Sequence, residues 1–168
     1  LYKEVDAEGN AEGKNKLAEC YQYGHGVDRD PNKAFTMYKQ AAEKSVNAQV
    51  NLAYCYFNGI GTQKNIEKAF QHFKEAAEKR DPHALWILGK IHARECPDFA
   101  SAENKESFKE FYQFAPFDYA KTAEFYHRSE SSKGQNEYVL LVLKGIVKPF
   151  DKDNFMALAK ERQNDGYN

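Results

Sequence analysis

The chain has 168 residues, 42% of them apolar and 14% aromatic, and its 24 Lys and Arg against 25 Asp and Glu leave a formal net charge of −1. That length suits one domain able to bury a core, and the balanced charge lacks the concentrated cations that nucleic-acid binding requires. The longest apolar run, Tyr138 to Leu143, falls far short of the ~20 residues of a membrane span, so no direct membrane insertion is expected.

Leu17, Gly24, Gly26, Ala34 and Ala41 recur 35 positions later as Leu52, Gly59, Gly61, Ala69 and Ala76. A fixed period between ~20 and ~50 residues marks a stack of supersecondary units, each burying its apolar face on the next. The first unit has a helix through Leu17 and Ala18, a turn at Tyr23-Gly24-His25-Gly26 and a second helix opening at Asp30-Pro31. In the second unit Ala48, Leu52, Ala53 and Tyr56 make one helical stripe. Asn58-Gly59-Ile60-Gly61 makes the turn, since glycine can adopt the left-handed backbone that ends a helix. A second stripe (Ile66, Ala69, Phe70, Phe73, Ala76, Ala77) restarts after Asn65. The third unit keeps the first helix as Ala84, Leu88, Gly89 and His92, but a long stretch from Glu95 to Pro116 replaces the Gly-x-Gly turn before Thr122, Phe125 and Tyr126 resume a second helix. A degenerate fourth unit reads as Tyr138 to Gly145, the turn Gly145-Ile146-Val147, and Asp151 to Gly166. The expected fold is all-α, one solenoid domain of stacked helical hairpins with units at about 11–46, 47–81, 82–133 (insertion 95–116) and 134–168.

The residues Ala48, Leu52, Tyr56, Gly59, Gly61, Lys68, Ala69, Phe73, Ala76 and Ala77 resemble the pattern of the Sel1-like repeat family, relatives of the tetratricopeptide repeats. The first unit matches through Leu17, Ala18, Tyr21, Gly24, Gly26, Val27, Asp30, Lys33, Ala34, Ala41 and Ala42. The resemblance implies a right-handed solenoid and a non-enzymatic protein-interaction module, acting as an adaptor, regulator or host-interaction protein. It also admits an immunity-type inhibitor capping a cognate toxin, and, as a minority reading, weak binding or hydrolysis of cell-wall ligands. Disulfides in some relatives join the two helices of one unit, but no second-helix cysteine exists here, so that feature does not carry over.

In such a stack the first helices line the concave face. With Leu52, Ala53 and Tyr56 turned inward, Asn47, Val50, Asn51, Tyr54, Phe57 and Asn58 are aimed away from the paired second helix. The equivalents are Asn15, Lys16, Glu19, Gln22 and Tyr23 in the first unit, and Trp86, Ile87, Lys90, Ala93 and Arg94 in the third. Aromatics beside Arg and Asn are the chemistry of binding hot spots, so a partner protein or peptide is expected on this face. The alternative is that Trp86 and Ile87 pack beneath the insertion.

Catalytic and metal chemistry find little support. His92-x3-Cys96 has ligand-like spacing, but no second Cys or His pair follows, and His92 falls on the repeat's Tyr position, which reads as a core or interfacial histidine. The Gly-x-Gly pairs follow helices, unlike phosphate loops. The five histidines are scattered, no nucleophile and base lie near each other, and no cofactor is called for. Cys20 and Cys55 sit at equivalent positions of helices ~8–10 Å apart, beyond disulfide reach, and are expected free and packed. The start at Leu1 leaves a processed or excised chain open, with a lean to export or the periplasm for a bacterial source.

The insertion is the oddest segment, gathering Phe99, Phe108, Phe111, Tyr112, Phe114, Phe117 and Tyr119. Lys105 to Phe114 reads as an amphipathic helix whose apolar face needs cover. Packing on its own solenoid is one option; projection as a partner-binding flap or homodimer contact through 99–119 is the other.

Overall fold

The computed structural model describes residues 10–95 and 102–150. Among these residues eight α-helices follow in order: α1 Ala11–Tyr23, α2 Pro31–Ala41, α3 Val46–Asn58, α4 Ile66–Glu78, α5 Pro82–His92, α6 Ala102–Lys109, α7 Tyr119–Arg128 and α8 Ser132–Leu143. A short 3-10 helix, Glu110–Gln113, follows α6, and no strand occurs among the described residues.

Local chemistry starts nearly all of these helices. Asn10, Asp30, Ser45, Asn65, Asp81, Asp118 and Ser131 each accept a first-turn backbone N–H through the side chain, satisfying a donor that the helix itself leaves open. Helices α1 and α3 end on Gly24 and Gly59, both left-handed with φ of 78° and 70°. The turns beyond are copies of each other: the Asp30 N–H donates to the Tyr21 carbonyl and the Asn65 N–H to the Tyr56 carbonyl, each at 2.8 Å.

Three hairpins pair α1 with α2, α3 with α4 and α5 with α7, and α8 begins a fourth layer against α7 and α5. The core runs through them without a break: Leu17, Ala34 and Tyr38, then Leu52, Ala69 and Phe73, then Leu85, Ala123 and Tyr126. The second glycine of the repeat acts between layers. A β-carbon on Gly61 would lie 2.0 Å from the Pro31 carbonyl oxygen at the start of α2, whereas one on Gly26, in the first described unit, would meet nothing within 4 Å.

Two boundaries differ from expectation. The fourth unit's first helix starts at Ser132, six residues before Tyr138, because Ser131 caps it. The insertion's helix starts at Ala102 and tightens to a 3-10 turn at Glu110 rather than staying α-helical to Phe114. Phe108 in the last turn of the α-helix and Phe111 in the 3-10 turn stand three residues apart on one face and meet in one aromatic cluster. Phe99, Cys96 and Asp151 to Gly166 lie outside the described residues.

Candidate protein-binding groove

The first helices α1, α3, α5 and α8 share one side of the stack, and their N-caps (Asn10, Ser45, Asp81, Ser131) set a common register. Two residues beyond each cap stand Glu12, Asn47, His83 and Lys133, all exposed. This row links neighbouring helices. Asn47 Nδ2 donates to Glu12 at 3.3 Å, beside a 3.0 Å bond from Ser45 Oγ to the same carboxylate. His83 Nε2 lies 2.6 Å from Tyr54 Oη, and the Lys133 ammonium sits 5.4 Å from the Trp86 ring centroid.

Below it runs a partly buried polar seam. Asn51 Nδ2 donates to Asn15 Oδ1 at 2.9 Å, and Asn15 Nδ2 to Glu19 at 3.2 Å. Tyr54 packs edge-on against Phe73 and tilts against His83, which stacks on Trp86. Burial drives the Tyr54 hydroxyl well above the usual phenol range, keeping it a neutral hydrogen-bonding group. Lys90 ends the seam between Glu137 at 2.8 Å and Glu95 at 3.0 Å. Burial acts to lower its pKa, but the Glu137 and Glu95 carboxylates together outweigh it and hold the pKa above the ordinary lysine value.

The Sel1 repeat model matches residues 11–46 and 46–81, the two hairpins α1–α2 and α3–α4. Residues 11–81 carry two Sel1 repeats. Among solved structures, the fold is similar to a Sel1 repeat protein from Oxalobacter formigenes (TM-score 0.51, 24% identity, 96% of this chain and 75% of that one). It is also similar to c5321, a protective antigen present in uropathogenic Escherichia coli strains that displays an SLR fold (TM-score 0.52, 20% identity, 98% of this chain). The match spans 40% of that antigen's length. No curated protein matches the sequence significantly.

The helical stack closes several positions expected in the open groove. Asn15 is 0% exposed, Phe57 6%, Trp86 6%, Lys90 7% and Val50 8%; Ile87 and Ala93 are buried too. The wheel counted only the paired second helix, but each first helix also packs against its neighbours along the stack, and flank residues are lost there. Phe57 has a different cover: Phe111 stacks on it at 5.2 Å and Phe108 meets it edge-on at 6.2 Å. The insertion thus lies on its own solenoid, over Phe57, Phe70 and Phe73, rather than over Trp86 and Ile87. Lys64 anchors it outside, 2.8 Å from Ser107 Oγ and 2.6 Å from Glu110.

Gln22 turns back instead, accepting a 2.9 Å bond from the Tyr38 hydroxyl of its own hairpin. Tyr23, Asn58 and Arg94 stay exposed, and Lys16, Glu19, Asn51 and Tyr54 exposed or half-buried. Arg94 takes the left-handed conformation where earlier units have glycine (φ 60°), and its guanidinium lies 4.7 Å above the Tyr112 ring. Glu12 and His83 were absent from the sequence-derived face although the repeat shift applied to Asn47 points to both. Lys133 needed the cap at Ser131, which the degenerate fourth unit hides.

The remaining chemistry is structural. His92 Nδ1 lies 2.9 Å from the Pro116 carbonyl, which can only accept, so the ring carries its proton on Nδ1. His92 also stacks on Phe125. Cys55 is fully buried and its thiol is pushed up to about 12 by desolvation, so it is inert as a thiolate; Cys20 is half-buried, and both are free. Among the described residues no group of three or more His, Cys, Asp or Glu could hold a metal, and no helix is long and apolar enough to cross a membrane.

Proposed function

We propose that this Sel1 repeat domain is a non-enzymatic interaction module that holds a partner polypeptide across its first helices. Sel1 repeat proteins generally mediate protein–protein interaction. The observation that carries the reading here is the exposed row of Glu12, Asn47, His83 and Lys133, one residue from each first helix, with Tyr54 beside it. Its members change from anion to amide to imidazole to cation across four layers. A partner segment is therefore oriented by its own charges, basic over Glu12 and acidic over Lys133, while Tyr54 and the amides bond its backbone.

Removing the aromatic pair at the centre tests this. The doubly substituted Tyr54→Ala/His83→Ala protein keeps the helical circular dichroism of the wild type but binds the partner at least ~2 kcal/mol more weakly, as loss of a hot spot requires. The partner is first identified as the chain retained by immobilised wild type and released by the variant, then measured as purified protein. Equal affinity for a folded variant would move the binding surface off this face.

A further inference from the structure

On the side of the stack opposite the groove, a hollow of about 370 Å³ opens between α4, α5, α7 and the insertion. That lies within the ~300–1,000 Å³ usual for small-molecule sites. Leu88 is buried in its floor, and three aromatic rings, Phe70, Phe114 and Phe125, line it while remaining only half-buried. Phe70 and Phe114 stack at 5.8 Å, so the insertion supplies a wall that a regular repeat would lack.

The rim is cationic. Lys121, Glu124, Phe125 and Arg128 project from one face of α7, and Lys74 from α4, one turn beyond Phe70. Glu124 is engaged by Arg128 at 3.1 Å. Lys74 and Lys121 have no ion pair among the described residues. Two uncompensated ammonium groups therefore stand over an apolar hollow in a chain that is almost neutral overall. Apolar rings favour a hydrocarbon body, and two separate point charges favour a single carboxylate at the mouth. Glu124 on the same rim disfavours a dianion.

We propose that this hollow binds a small amphipathic carboxylate, its aryl or branched alkyl body between Phe70, Phe114 and Phe125 and its carboxylate between Lys74 and Lys121. Such a group comes either from a free organic acid or from the C-terminal residue of a peptide. The site shares no residue with the groove row, so its failure leaves the interaction reading untouched.

Hydrocinnamate and its neutral counterpart hydrocinnamyl alcohol are titrated into the full 168-residue chain and followed by amide NMR. Saturable shifts at Phe70, Leu88 and Phe125 are expected for the acid, with Kd on the order of 1 mM or tighter, and at least about fivefold weaker binding of the alcohol. Lys74→Ala/Lys121→Ala should weaken the acid by a similar factor without changing the fold, and Lys74→Arg/Lys121→Arg should restore it. A peptide ending in a free C-terminal phenylalanine, compared with its amide, separates the sources. Tighter binding that amidation abolishes assigns the site to a chain terminus, and weaker binding than hydrocinnamate assigns it to a free acid. No saturable shift up to about 10 mM, shifts elsewhere, or equal binding of acid and alcohol would overturn the proposal.

Discussion

Replacing Gly61 and Gly26 with alanine, one at a time, separates the local work of the repeat's second glycine from its work between layers. Both have left-handed backbone, with φ of 64° and 72°, where an L side chain costs ~1–2 kcal/mol. Alanine returns ~0.4–1 kcal/mol by restricting the unfolded chain, so Gly26→Ala should cost only about 0.5–1 kcal/mol. At Gly61 the new β-carbon would also fall 2.0 Å from the Pro31 oxygen, 2.6 Å from its carbonyl carbon and 3.0 Å from the Asn32 α-carbon. All three are backbone, so the contact can be relieved only by moving the start of α2 away from the next layer. Forced overpacking of this kind adds ~1–3 kcal/mol, for a total of about 1.5–4 kcal/mol at Gly61→Ala. Urea unfolding followed by far-ultraviolet circular dichroism measures the difference. Because stacked repeats are held by nearest-neighbour interfaces, Gly61→Ala should also broaden the transition as the first hairpin uncouples. Equal midpoints for the two variants would refute the assignment of this glycine to the interface.

Phe57→Ala should destabilise the domain by about 3–5 kcal/mol and increase proteolysis within the insertion, since it removes the ring on which Phe108 and Phe111 rest; an unchanged melting temperature would mean that Phe57 is an open groove residue. Burial holds His72 and His92 below the ordinary imidazole value of 6.5. The unfolded chain therefore takes up protons first on acidification, and stability that is complete above pH 6.5 falls as the pH drops toward the folded values, by at most ~1.4 kcal/mol per pH unit for each histidine. His92→Gln should flatten that decline between about pH 7 and 5; an unaltered slope in denaturation measured across this range would show that His92 is not held neutral.

The repeated elements were legible because their signals are local. Gly24 and Gly59 end helices, Asp30 and Asn65 start them, and the stripe from Leu52 to Tyr56 names the buried side of α3, all within a turn or two of chain. The groove was legible only in part. Asn51, Tyr54 and Asn47 follow from the wheel of one helix, whereas the burial of Val50, Trp86 and Lys90 depends on how closely the next first helix approaches, a distance that no single helix encodes. The insertion shows the same division. Its aromatic content demanded cover, yet only the packing of the insertion on α3 and α4 shows that Phe108 and Phe111 share Phe57.

By itself, then, the sequence determined the period, the hairpins and the side of each helix that faces its own partner, because capping, turn chemistry and helical periodicity act over a few residues. Only the tertiary structure decided which outward residues stay open, what the insertion covers, and that Lys74 and Lys121 both line one hollow, because those outcomes are set by contacts between layers far apart in the chain.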